Sequence, residues 1–431
     1  MKSSSPKGLR LHIAFFGRRN VGKSSLLNAI TSQQVSIVSD VAGTTTDPVE
    51  KPMELLPLGP VLFIDTAGID DSGRLGNLRV EKTRQVLDRT DVGVLVAESG
   101  QWGQFEETLL HELKTREVPT LVVFNKTDAA PCDSQILGKL AGLKIPCIQS
   151  SAVCGTGLDL LRQALLDLAP AEFINHPAIV ADLVGPGEMA VLVVPVDKEA
   201  PRGRLILPQV QAIRDLLDHD SFCLVVKEHE LSAALARLNS PPKLVVTDSQ
   251  AFQKVAADTP RSIPLTGFSI LMSRFKGDLL AQVQGALAID TLRPGDRVLI
   301  AEACTHHPIE EDIGRVKIPH WLARYVGGDL QLDFVRGHDF PADVSPYRLV
   351  VHCGACMWNR REMLTRILRC RQAGVPITNY GLTIAYSLGI FDRALEPFPD
   401  ARKLFATALA AREAGVRAAA TAPNVCVGGS V

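Results

Sequence analysis

Cys304-Thr305-His306 and His352-Cys353-Gly354-Ala355-Cys356 put three thiols and two imidazoles into two short groups. Each group follows an apolar run, Arg297-Val298-Leu299-Ile300-Ala301 before the first and Arg348-Leu349-Val350-Val351 before the second. Thiolates are ligands of zinc and of iron–sulfur clusters. Cys353-x-x-Cys356 alone suits zinc and redox sites equally. With Cys304 added, zinc would close a tetrahedron using one histidine. A 4Fe–4S cluster would instead take the three cysteines and leave one iron for histidine, water or an incoming ligand. Structural zinc sites usually pair their ligands on hairpins. Here the ligands end strand-like runs, in the crevice where α/β sheets place working sites, which favours a cluster and leaves zinc open.

A second constellation lies near the start. Gly17-Arg18-Arg19-Asn20-Val21-Gly22-Lys23-Ser24, followed by Ser25, fits the phosphate-loop pattern between a strand and a helix. Its backbone amides and helix dipole would cradle phosphates, Lys23 would neutralise the β- and γ-oxygens, and the Ser24 hydroxyl would bind magnesium. In Asp65-Thr66-Ala67-Gly68 the carboxylate would hold magnesium through water and the Gly68 amide would sense the γ-phosphate. Gly43-Thr44-Thr45-Thr46-Asp47 reads as a switch whose Thr45 reaches magnesium. Asn125-Lys126-Thr127-Asp128 supplies base choice, because the Asp128 carboxylate accepts from guanine N–H groups where adenine offers an acceptor. Ser151 and Ala152 stand where they would buttress the base. The nucleotide is GTP, with Mg2+.

The elements that position these groups form an α/β pattern. Buried parallel strands are expected at 11–16, 61–64, 92–96 and 121–124, then at 190–194, 223–226 and 243–246, and finally at 298–300, 330–332, 349–351 and 376–378. An amphipathic helix is expected at 207–218, a basic one at 357–370 and an Ala-rich one at 401–420. Arg360, Arg361, Arg366 and Arg369 should form a solvated basic stripe. The fold class is a P-loop GTPase domain at 9–172, followed by two smaller α/β domains at 178–261 and 262–420 with mostly parallel sheets.

The 431 residues carry a net charge of −1, with 46% hydrophobic and 22% charged residues. That is a globular composition with no global field for nucleic acid or an anionic membrane. No apolar run approaches the roughly 18 residues of a bilayer span, and Met1 to Lys7 lacks the apolar core of a signal peptide. A cytoplasmic location, no membrane partner and no nucleic-acid partner are expected. Of the nine cysteines, Cys132, Cys147, Cys154, Cys223, Cys370 and Cys426 are scattered and read as small apolar or incidental thiols.

The phosphate loop with Gly43-Thr44-Thr45 resembles the TrmE–Era branch of translation-factor-like GTPases. Ile69 stands where Ras-like enzymes carry glutamine, so slow intrinsic hydrolysis is expected. That resemblance implies that Asn20 binds K+, which does part of an arginine finger's work. Taken with Cys304-x-His306, His352-Cys353-x-x-Cys356 and the runs 193–197 and 202–208, the chain resembles the HydF family of FeFe-hydrogenase maturation GTPases. The resemblance implies a 4Fe–4S cluster on Cys304, Cys353 and Cys356, with His352 as an exchangeable fourth ligand and His306 near it or on the cargo. It implies a scaffold that receives a di-iron precursor from the radical-SAM maturases HydE and HydG and delivers it to apo FeFe-hydrogenase. Domain 178–261 would mediate a homodimer and 262–420 would hold the cluster. The alternatives are an RNA- or ribosome-associated GTPase with a structural zinc site, and a metal-insertion GTPase for another enzyme.

Overall fold

The computed structural model describes residues 6–31, 48–56, 58–66, 74–174, 177–196, 205–303 and 312–421. It divides into two units, Met1–Pro177 with Met357–Arg366, and Ala178–Cys356 with Ile367–Val431.

The first unit is built on six strands: β1 Leu11–Phe16, β2 Val49–Leu55, β3 Gly59–Asp65, β4 Val92–Glu98, β5 Thr120–Asn125 and β6 Cys147–Gln149. Their order is β2-β3-β1-β4-β5-β6, parallel throughout except for β2 against β3. β1 is buried at every position, as a strand covered on both faces must be. Leu11, Ile13 and Phe15 enter one apolar core and Ala14 and Phe16 the other, the period-two alternation of a strand. The edge strand β2 reads Val-Glu-Lys-Pro-Met-Glu-Leu and is only partly buried. Its charges and Pro52 suit an edge and hide it from an apolar-run search.

His12 is the buried polar member of β1. Its backbone N–H donates to Asp91 Oδ2 at 2.8 Å, and its Nε2 lies 3.2 Å from the Lys7 carbonyl. Asp91 Oδ2 also accepts from Asn359 Nδ2 at 3.1 Å, and the same amide donates to the Arg89 carbonyl at 2.8 Å. Asn359 belongs to the Met357–Arg366 stretch of this unit, where the expected solvated basic stripe is not found. Arg366 is buried against the Trp358 ring, 4.0 Å from its centroid, and pairs with Glu362 at 3.7 Å. Arg361 donates to the carbonyls of Arg116 and Glu117. These guanidiniums close off backbone carbonyls and cover an indole face, which a sequence stripe cannot reveal.

The second unit holds two four-stranded parallel sheets. The first contains β7 Met189–Val193, β8 Phe222–Val226, β9 Leu244–Thr247 and β10 Leu265–Gly267 in the order β10-β9-β7-β8. The second contains β11 Arg297–Glu302, β12 Gln331–Arg336, β13 Leu349–His352 and β14 Ile377–Asn379 in the order β12-β11-β13-β14. One apolar core runs through both, from Ile179 to Ala401. The helix Leu279–Leu287 packs on β14 so closely that a Cβ on Gly285 would sit 1.9 Å from the Ile377 carbonyl oxygen. Only glycine permits that approach.

Burial, with Arg89 adding repulsion, pushes the His12 pKa down from 6.5 to about 3. Between those values the unfolded chain binds a proton that the folded histidine refuses, so stability falls as pH falls. Moving from pH 7 to 5.5 should cost the first unit about 1 kcal/mol by this group. Denaturant unfolding of the wild type and His12→Gln at both pH values checks this, and the variant should lose that much less.

Candidate functional site

Two groups of polar side chains gather at carboxyl ends of strands, one in each unit. In the first, the chain leaves β1 at Phe16 and resumes regular structure in the helix Lys23–Thr31. Between them Asn20 and Gly22 take the left-handed region at φ 60° and 91°. A Cβ on Gly22 would stand 2.2 Å from Asn125 Nδ2, so the position demands glycine for space as well as conformation. Lys23 is buried, and its Nζ donates to the carbonyls of Gly17 and Arg18 at 3.0 and 2.7 Å. Those carbonyls hold the ammonium inside the loop, where a phosphate would lie. Ser24 Oγ donates to Asp65 Oδ2 at 2.6 Å, joining a hydroxyl and a carboxylate as a hard oxygen pair suited to magnesium.

The base side is tied to the phosphate side by Asn125 at the end of β5. Its Nδ2 donates to the Val21 carbonyl at 2.8 Å, and its Oδ1 accepts from the Ala152 amide at 3.1 Å. Thr127 binds the Ser150 carbonyl through both N–H and Oγ1, at 3.2 and 3.0 Å. Lys126 takes φ 62° and donates to Glu98 Oε2 at 3.0 Å. Ser151 is buried beside this loop, while the Asp128 carboxylate is exposed and available to a base. Ser25 is half-buried in the helix. Thr45 and Gly68 lie outside the described residues. Sequence reading missed Glu106, whose buried carboxylate takes both Arg18 Nε and Nη2, at 2.7 and 2.9 Å, and braces the phosphate loop. An isolated acid 88 positions away carries no motif.

In the second unit, β11 and β13 run parallel with Ala301 opposite His352, and His352 is opposite Asn379 of β14. The Cys353 N–H donates to the Ala301 carbonyl at 2.9 Å, and the Ala303 N–H donates to Cys353 Sγ at 3.0 Å. An amide aimed at sulfur stabilises a thiolate, the form that binds metal. Ala355 turns the loop at φ 50°, and Cys356 follows, half-buried like Cys353. Cys304 and His306 lie outside the described residues, and among the described ones no three acidic, histidine or cysteine side chains form a metal-ligand group. His352 is fully buried, with Nδ1 2.8 Å from the Cys353 carbonyl, so a ligand role would fall to Nε2. The donor set present, two half-buried thiols with one amide bonded to sulfur, fits a soft metal or cluster rather than magnesium or calcium.

Two buried residues beside the thiols were missed by sequence reading. Lys276 donates from Nζ to the Cys356 carbonyl at 3.0 Å; burial pushes its pKa down to about 8, while the Cys356 thiolate pulls the other way. Tyr380 lies with its hydroxyl 3.4 Å from Glu302 Oε1, and burial raises its pKa, with Cys353 and Glu302 adding to the rise. A cavity of about 140 Å³ opens next to them, lined by Cys356, Gly354, Ser269, Tyr380, Asp248 and Gln250 among others.

Comparison with known proteins decides the family. Residues 179–277 match the hydrogen maturase F dimerization domain and residues 280–397 the hydrogen maturase F tetramerization domain, together just over half of the chain. The chain belongs to the hydrogen maturase F family. Residues 12–126 match a model described as a 50S ribosome-binding GTPase, so the first unit of this maturase is a GTPase domain. Curated relatives match part of the chain. The tRNA modification GTPase MnmE of Chromobacterium violaceum is 34% identical over 163 residues, 37% of this chain and 34% of its own length. GTPase Der of Wolinella succinogenes is 32% identical over 166 residues, 36% of this chain and 35% of its own. The chain thus spans about a third of the length of these relatives. A solved Aquifex aeolicus Era variant bound to GDP and aluminium fluoride is 21% identical with a TM-score of 0.34, covering 57% of this chain and 97% of that one. Among the described residues no helix is long and apolar enough to cross a membrane.

Gly22→Ala should break the Asn125 bracket while leaving β1 and its core intact. GTP affinity, read by titration with a fluorescent analogue, should fall at least tenfold. Unchanged affinity would mean that the loop does not need this close approach.

Proposed function

We propose that this hydrogen maturase carries a 4Fe–4S cluster on Cys304, Cys353 and Cys356, accepts a di-iron precursor beside it, and delivers that precursor to apo FeFe-hydrogenase under control of GTP. The observation that carries the reading is the Cys353 thiol, fixed at the end of β13 by the Ala303 amide, with Cys356 following, in the stretch matched by the hydrogen maturase F model. Bound there, the cluster would supply an iron corner open to exchange. His352 or His306 would occupy that corner or hold the cargo, and the cavity lined by Gly354, Ser269 and Tyr380 adjoins the thiols.

The nucleotide unit acts through its own residues. Lys23 releases the loop carbonyls and turns to the β- and γ-phosphates. Ser24, Thr45 and Asp65 hold magnesium directly or through water, and the Gly68 amide registers the γ-phosphate. Asp128 selects guanine, with Lys126, Ser151 and Ala152 lining the base. Asn20, exposed at φ 60° on the loop, orients K+ at the phosphates. HydE and HydG, the radical-SAM maturases, supply the cargo, and the dimerization and tetramerization domains support an oligomer, of which the homodimer is the basic assembly.

Two outcomes are expected. The cluster-loaded chain, given the di-iron precursor, should switch on hydrogen evolution by apo FeFe-hydrogenase, while Cys353→Ala should not; activation by the variant would remove the thiol site from the account. GTP hydrolysis should run at least tenfold faster in potassium than in sodium at equal ionic strength, and equal rates would reject the role of Asn20.

A further inference from the structure

Lys276 ends the helix Phe268–Lys276, whose Phe268, Ile270, Leu271 and Met272 are all buried. The lysine is itself only 1% exposed, and its Nζ reaches the carbonyl oxygen of Cys356 at 3.0 Å. A methionine would fill the same volume without the cost of desolvating an ammonium, so packing alone does not account for a lysine here. Besides that carbonyl, two features favour the charge. One is the carbonyl dipoles at the carboxyl end of its own helix. The other is the Cys356 thiolate, whose charge favours the ammonium. Metal binding takes the proton's place on a cysteine ligand, so a bound cluster would keep that thiolate charge in place.

We propose that Lys276 is a positioning residue for the cluster: it ties the backbone of Cys356 to the helix Phe268–Lys276 and fixes a positive charge at the edge of the site. This rests on the iron–sulfur reading above. A cluster gains negative charge on reduction, and a buried cation bonded to the backbone of a ligand residue stabilises that state more than the oxidised one. Lys276 therefore raises the reduction potential of the cluster.

The test is an EPR-monitored redox titration of the full chain, reconstituted with iron and sulfide, as wild type, Lys276→Gln and Lys276→Met. Glutamine keeps a donor for the Cys356 carbonyl and removes the charge; methionine removes both. At the wild-type midpoint, the ratio of reduced to oxidised cluster should fall at least tenfold in both variants, which is 59 mV for a one-electron couple. Ratios within twofold of wild type in both would overturn the assignment. A normal ratio in the glutamine variant with a fall in the methionine variant would leave a hydrogen bond and reject the charge. If a variant takes up no cluster, melting of the metal-free chains decides. Unchanged melting with lost uptake supports a role towards the cluster, whereas melting lowered in both variants makes the lysine a packing residue and overturns the proposal. A wild-type chain that binds no cluster defeats the iron–sulfur reading itself, and this inference with it.

Discussion

Parallel pairing of β11 with β13 is the constraint on which the thiol site depends. In a parallel sheet neighbouring strands finish on the same edge, so residues far apart in sequence emerge together. Here the register places Ala301 against His352, and the chain beyond each strand closes two bonds, Cys353 N–H to the Ala301 carbonyl and Ala303 N–H to Cys353 Sγ. Shift that register by one residue and the thiol turns to the opposite face. The first unit uses the same edge, where Asp65 ends β3 and Asn125 ends β5 on either side of the loop that follows β1. Each site is thus a row of strand ends, and in the second a backbone N–H is aimed at the Cys353 sulfur.

Much of this was legible in the sequence, for identifiable reasons. Strands buried on both faces are continuous apolar runs, and β1, β4, β5, β7, β11 and β13 lie where those runs stand. The helix Leu207–Asp218 follows its amphipathic pattern to the residue. The strands that escaped are β2, broken by charge and proline, and β6 and β10, which are three residues long. Sheet continuity escaped as well: β10 lies beyond residue 261, yet it pairs with β9 in the first sheet of the second unit.

At the sites, motif spacing marks the residues expected to touch ligand but not those that hold them. Glu106, Lys276 and the Ala303 amide act across 88, 80 and 50 positions respectively, and one of them is backbone. Arg366 was misjudged for the same reason, because its Trp358 and Glu362 partners appear only once the chain is folded. One peptide bond after Cys356 the chain enters the GTPase unit, where Asn359 and Thr365 satisfy the carbonyls of Arg89 and Asp88 at the end of the helix Arg74–Asp88. A single chain therefore carries a GTPase site with hard oxygen donors and a pair of thiols whose softness suits a different class of metal. That division is what the proposed scaffold would need if nucleotide turnover is to change partners without disturbing the metal.

The central claim is that the thiol site holds iron and sulfide. Iron, acid-labile sulfide and zinc should be measured per chain on anaerobically purified and reconstituted protein. The account predicts about four iron and four sulfide per chain, lost together when Cys356 is replaced by alanine. Stoichiometric zinc without sulfide, retained through reconstitution, would contradict it.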